Sequence, residues 1–275
     1  MSAFVDLGKR VIFSVIAIAV VLLLLICSEY HGAKALIILI TGLTAGFAVY
    51  EYAMLPTNML HRGIVAFSIG AAFLTFASMY VYSLPNLPYF VLMFLGIVAF
   101  VINFRQVEGA LHSVACFILP MCYILLPMIL VIKMLYSSFS VGGSLLVGYV
   151  VATTKMGDMC AYFVGKGIGR YPMAPALSPK KTWEGAVASV VGTIIISIVF
   201  SSFMGSSFDI IEAIFLGAII SIVAIIGDLA ESLLKRDAKI KDSNSLPGLG
   251  GILDILDSLL FTFPVVYVYF LTRVW

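Results

Sequence analysis

Apolar positions run through this chain in long blocks, and the polar positions fall between them. Segments near residues 11 to 27, 35 to 55, 64 to 84, 88 to 104, 114 to 136, 141 to 165, 185 to 206, 210 to 234 and 252 to 272 are nearly free of charge. Each is roughly 20 residues long, enough for a helix to cross a hydrocarbon core of about 30 Å. The pattern predicts an all-α polytopic integral membrane protein with about nine transmembrane helices. A porin-like barrel is excluded, because its strands would alternate polar and apolar residues. Pro85 and Pro88 separate the third and fourth segments, and Pro120 and Pro127 are expected to kink the fifth.

Composition agrees: 62% of the 275 residues are apolar and 11% charged, against about 25% charged in a soluble domain. With a mean hydropathy of +1.14, a water-soluble globule is excluded. The net charge of +2 is too small to argue for nucleic acid, and no such partner is expected. Placement of the basic residues says more. With nine spans, one side receives Lys9, Arg10, Arg62, Arg105, Lys166, Arg170, Lys180, Lys181, Lys235, Arg236, Lys239 and Lys241, and the other only Lys34, Lys133 and Arg273. Because cytoplasmic loops are positive, the N-terminus is expected inside and the C-terminus outside. Lys9 and Arg10 before an apolar run resemble a secretory leader, but no small-residue cleavage site follows, so a retained first helix is expected. Cys27, Cys116, Cys122 and Cys160 lack metal-type spacing and read as small buried hydrophobes.

We treat residues 1–275 as one membrane domain, with 1–137 mainly scaffold helices and 138–275 the half that holds chemistry. In the first half Glu51, flanked by Tyr50 and Tyr52 near a span end, reads as an interfacial residue. In the second half Lys155, Asp158, Asp228, Glu231, Asp254 and Asp257 lie in or at the ends of otherwise apolar helices. Unpaired, each would cost about 3 kcal/mol at the bilayer centre. Lys155, Asp158 and Tyr162 share a helical face, as do Asp228 with Glu231 or Ser232, and Asp254 with Asp257. Salt bridges Lys155–Asp158 and Glu231–Lys235 would leave Asp228, Asp254 and Asp257 unmatched. Converging carboxylates repel one another unless protonated or bridged by a cation, and hard oxygen ligands suit magnesium.

Three loops on the positive side supply complementary chemistry. Gly165 to Arg170 is glycine-rich and reads as a turn. Ser178 to Gly185 joins Lys180, Lys181 and an interfacial Trp183 to a proline-fixed turn, which suits an anionic headgroup. Ser232 to Gly251 joins Lys235, Arg236, Lys239 and Lys241 to a glycine turn opening the last helix, where backbone N–H groups could cradle a phosphate. Cations, a glycine turn and paired carboxylates together point to metal-assisted phosphoryl chemistry.

The run SLLKRDAKIKDSNSLPGLGGILDILDS, from Ser232 to Ser258, resembles the signature of the phosphatidate cytidylyltransferases, also called CDP-diacylglycerol synthases. GDLAES at Gly227 to Ser232, SPKKTWEG at Ser178 to Gly185, and Asp158, Ala161, Tyr162 and Gly165 are also similar to that family. The resemblance covers about residues 150 to 260. Departures are Leu249 where the family has histidine, Ile255 where it has arginine, and one residue fewer between Asp242 and Pro247.

The resemblance implies transfer of CMP from CTP to phosphatidic acid, giving CDP-diacylglycerol and pyrophosphate, at the cytoplasmic face of a bacterial inner (plasma) membrane. It implies Mg2+ on Asp228 and Asp254 with Asp257 nearby in the catalytic set, and a monovalent cation as a further companion. Lys235, Arg236 and Lys241 are the expected triphosphate contacts. Ser232, Asp242, Gly248, Gly250 and Gly251 are expected at the substrates, Ser232 through a hydrogen bond or a metal contact and Asp242 at the nucleotide or behind the groups that hold it. Lys180, Lys181 and Trp183 are expected at the lipid phosphate, and Asp158 with Lys155 in the cavity wall. A homodimer is compatible with these features, although no residue specifies one. Two other readings of the residues stay open: a cation- or proton-coupled transporter using the buried acids, and another CTP-using lipid kinase.

Overall fold

In hydrocarbon, backbone N–H and C=O groups must find partners within their own segment, so each apolar run becomes a helix. The computed structural model of the chain describes residues 21–55, 61–81, 83–104, 108–137, 139, 141–205, 208–240 and 251–273. Its helices are α1 (Lys34–Met54), α2 (His61–Ser78), α3 (Leu87–Asn103), α4 (Ala110–Tyr136), α5 (Gly143–Ile168), α6 (Trp183–Met204), α7 (Ile210–Asp237) and α8 (Ile252–Leu271). These coincide, to within a turn or two, with the second to ninth expected segments. Residues 21–28 are also helical; the earlier part of the first expected segment lies outside the described residues. Among the described residues five helices, α1, α4, α6, α7 and α8, are long and apolar enough to cross a membrane. The protein is an integral membrane protein of all-α class.

The kink expected in α4 takes the form of a π-helical turn, Met121–Leu125, lying between Pro120 and Pro127. Of the cysteines, Cys116 is buried, Cys27 and Cys160 are half-buried, and Cys122 is exposed. The expectation of burial fails at Cys122. A thiol on the outer face of a membrane helix meets lipid, so its apolar character does not require burial inside the protein.

Packing divides the described chain into two compact units, one drawn from 27–132 and 240–255 and the other from 21–26, 133–239 and 256–273. In the first, α1 packs on α2, α2 on α3, and α3 on the start of α4. Ala53, Ile64, Ala99, Cys116 and Phe117 form its core, with Phe67 edge-on to Phe117 at 4.9 Å. Asn103 ties α3 to α4: its Oδ1 accepts from Ser113 Oγ at 2.6 Å, while its Nδ2 donates to Ala99 O at 2.7 Å.

In the second unit α5, α6 and α7 pack together along a seam of small and hydroxyl side chains. Close approach and interhelical hydrogen bonds replace a hydrophobic driving force that lipid would cancel. Tyr149 Oη pairs with Ser197 Oγ at 2.8 Å, Ser221 Oγ donates to Ser189 Oγ at 2.9 Å, and Thr154 Oγ1 donates to Thr262 Oγ1 at 3.2 Å. Tyr149, Phe200, Phe208 and Phe270 close the end of this seam.

Between α5 and α6 the chain makes an antiparallel hairpin of β1 (Pro172–Ala174) and β2 (Ser178–Thr182), with Pro172 opposite Thr182 and Ala174 opposite Ser178. The segment expected as a loop, Ser178 to Gly185, is therefore a strand running straight into α6. Thr182 caps that helix by accepting the Gly185 N–H on its Oγ1 at 3.2 Å.

Candidate active site

Asp228 and Glu231 stand one turn apart on α7, and Asp257 stands on the facing surface of α8. A glycine makes the approach possible: a Cβ on Gly227 would come 2.7 Å from the carbonyl oxygen of Asp257, so only glycine lets the two backbones meet there. One carboxylate oxygen from each of Asp228, Glu231 and Asp257 lies within 4.8 Å of the others. Glu231 is 2% exposed and Asp257 6%.

Lysines are drawn in around this negative charge. Lys181 Nζ sits 2.6 Å from Asp228 Oδ2, Lys235 Nζ 2.5 Å from Glu231 Oε2, and Lys155 Nζ 3.2 Å from Asp158 Oδ2. The two expected ion pairs are present. The third corrects an expectation, since Asp228 is matched by Lys181 and does not stand alone. Ser258 joins the acids: its Oγ lies 3.2 Å from Asp158 Oδ2 and 3.0 Å from Asp257 Oδ1, and its backbone N–H donates to the same Asp257 oxygen at 2.5 Å.

Three hard, close, largely buried carboxylates are a donor set that fits a divalent cation such as Mg2+. Asp228 was the expected ligand on α7, and Glu231, grouped with it by helical spacing but not expected as a ligand, joins it. Asp254 is not one of the three; its Oδ2 accepts the Gly251 N–H at 2.7 Å and so caps its own helix.

Beside the acids a cavity of about 740 Å³ opens, lined by Asp158 and Asp228 together with Lys166, Arg170, Lys180 and Lys181. Its walls come from the end of α5, the hairpin and the start of α6. Gly165 to Ile168 continue α5 and do not form the expected turn. Gly169 ends the helix where a Cβ would collide with Gly165 O and stand 2.6 Å from Thr182 Oγ1. Arg236 Nε donates to Leu177 O at 3.1 Å, fastening the tip of the hairpin to the end of α7. Trp183 is 58% exposed at the start of α6. Ser232 is half-buried on α7, and Gly251 is buried before α8. Lys241, Asp242, Gly248 and Gly250 lie outside the described residues.

The model of the cytidylyltransferase family matches residues 8–272. The chain belongs to the cytidylyltransferase family. A protein named phosphatidate cytidylyltransferase from Chlamydia pneumoniae is 31% identical over 288 residues, covering 98% of this chain and 93% of its own. One from Chlamydia muridarum is 32% identical over 269 residues, 90% of this chain and 88% of its own. A third, from Thermotoga maritima, is 29% identical over 274 residues, 96% of each.

Two carboxylates of the chain were not among the expected site residues. Glu184, in the first turn of α6, accepts the backbone N–H of Arg170 on Oε1 at 3.0 Å and that of Tyr171 on both oxygens at 3.3 Å. Trp183 N–H donates to Tyr171 O at 3.0 Å. The segment entering the hairpin is thus pinned to the first turn of α6, and with it Arg170 at the cavity. Glu184 lies within the motif SPKKTWEG, which is the signal that marks it.

Glu51 corrects the interfacial reading. It is 6% exposed, and its Oε1 and Oε2 accept the N–H groups of Ile252 and Leu253 at 2.9 and 2.8 Å. The positive end of α8, which sequence reasoning offered to a phosphate, holds an internal carboxylate.

Proposed function

We propose that this protein transfers CMP from CTP to phosphatidic acid, giving CDP-diacylglycerol and pyrophosphate. The observation that carries this reading is the cavity itself: Asp158 and Asp228, the latter a member of the acidic cluster, line it together with Lys166, Arg170, Lys180 and Lys181, in a chain alike over nearly its whole length to proteins named phosphatidate cytidylyltransferase. A phosphate oxygen of the lipid, already ionised near neutral pH, attacks the α-phosphorus of CTP. The bond from that phosphorus to the oxygen bridging the β-phosphate breaks, and pyrophosphate carries that oxygen away. No general base is needed.

The basic wall binds and orients the phosphates, converting an encounter of two anions into an in-line arrangement. Lys180 and Lys181, with Trp183 at the interface, are assigned to the lipid phosphate. Lys235, Arg236 and Lys241 are assigned to the triphosphate, with Ser232, Asp242, Gly248, Gly250 and Gly251 near the nucleotide. Asp228, Glu231 and Asp257 would hold a Mg2+ ion, which when bound offsets triphosphate charge. The proposal includes nine spans with the N-terminus in the cytoplasm and the reaction at the cytoplasmic face of a bacterial inner membrane, which the twelve-to-three placement of basic residues supports.

The test is conversion of CTP by purified protein with phosphatidic acid. Label on the α-phosphate should enter the chloroform-soluble product when Mg2+ is present, while label on the γ-phosphate stays in water. Transfer of the γ label would identify a lipid kinase instead. Gradient-driven solute uptake without nucleotide turnover would identify a transporter.

Glu184 gives a second expected outcome. Glu184→Ala should lower kcat/KM about tenfold, chiefly by raising KM, because the pinned backbone orders the phosphate-binding wall. Glu184→Gln, which keeps a carbonyl acceptor, should recover part of that loss. A KM within twofold of the parent's in the alanine variant would show that the wall orders itself.

A further inference from the structure

Lys181 belongs to two environments at once. Its side chain lines the cavity, yet its ammonium nitrogen is enclosed and lies 2.6 Å from Asp228 Oδ2, within the acidic cluster. The other lysine on the cluster is held differently. Lys235 pairs with Glu231 four residues back on the same helix, a local pairing that helical spacing alone brings about. Lys181 comes from β2, a separate element in a hairpin whose tip is held at Leu177 by Arg236 and whose entry is held at Arg170 and Tyr171 by Glu184, and its flexible four-carbon stem reaches the acids.

We propose that Lys181 is the resident counter-cation of the acidic cluster, that a divalent cation binding to Asp228, Glu231 and Asp257 expels it, and that the freed ammonium turns into the cavity to meet substrate phosphate. The inference rests on the reading of these carboxylates as a cation site. Two positive charges a few ångströms apart in a poorly solvated place repel strongly, so the lysine and a divalent ion exclude one another at Asp228. A phosphate in the cavity then finds an additional donor only when the cation is in place. Lys181 thereby makes metal loading and phosphate binding mutually reinforcing, because each gains when the ammonium leaves Asp228.

Titration calorimetry with Mg2+ alone, without nucleotide or lipid, tests the exchange on the full chain in detergent. Lys181→Met should bind Mg2+ at least about tenfold more tightly than the parent, since no ammonium has to be displaced. Lys181→Arg, which keeps the charge, should not tighten it. On the unaltered protein, Mg2+ should raise the reactivity of Lys181 toward an amine-acylating reagent, read by mass spectrometry, while its exposed neighbour Lys180 stays unchanged. Equal or weaker Mg2+ binding by Lys181→Met, or Lys181 reactivity indifferent to Mg2+, overturns the exchange and leaves the cation site standing. Absence of Mg2+ binding by both the parent and Lys181→Met overturns the cation site itself, and the exchange with it.

Discussion

Replacing Asp228 with asparagine is expected to cut CMP transfer by at least about a thousandfold while the protein stays folded. The asparagine side chain is neutral, so it offers the Lys181 ammonium at most one uncharged carbonyl oxygen in place of a carboxylate. Two effects follow, and they can be separated. Loss of the carboxylate removes a donor from the acidic cluster, which bears on the reaction. It also strands Lys181, which bears on stability. Because the Asp228 side chain is about one-third exposed, at 36%, breaking the pair should cost about 1–2 kcal/mol rather than the larger penalty of a fully buried one. Adding Lys181→Met to Asp228→Asn removes the stranded charge and should restore most of the lost thermal stability. It should not restore turnover. Should the double variant regain a rate within tenfold of the parent's, Asp228 would be a structural partner of Lys181, and the cluster would have no part in the chemistry.

What made these residues visible in the sequence was their cost. A carboxylate within an apolar run demands a partner, so Asp158, Asp228, Glu231, Asp254 and Asp257 stood out against their surroundings, and helical spacing grouped Asp228 with Glu231. The helices were legible because runs of about 20 apolar residues leave the backbone few alternatives. The hairpin was not. Its strands are three and five residues long, and β2 contains Pro179 and two lysines, so neither period nor propensity marks it. The pair Lys181–Asp228 was also hidden, since it joins a residue read as loop to one 47 positions later. Glu51 was the hardest: its partners lie 201 and 202 residues away, and its tyrosine neighbours suggested the membrane interface.

Glu51→Ala is expected to destabilise the protein by about 2–5 kcal/mol, because it leaves the N–H groups of Ile252 and Leu253 without their acceptors in a buried setting, at about 1–3 kcal/mol each. The loss adds to that of a negative charge placed on the positive end of α8, where it is most stabilising. Gly251 keeps its bond to Asp254, so the first turn should fray rather than unwind. Glu51→Gln offers one carbonyl oxygen where two carboxylate oxygens served, and its amide N–H groups face a donor. It should therefore recover less than half of the lost stability. Glu51→Asp is shorter by one carbon, and reaching both N–H groups would require α1 to shift toward α8. Thermal unfolding in detergent should show a fall in Tm of about 5–10 °C for the alanine variant, with the glutamine and aspartate variants between it and the parent. An interfacial carboxylate would tolerate alanine within about 0.5 kcal/mol. A Tm shift below about 2 °C would therefore return Glu51 to the membrane surface and remove it from the start of α8.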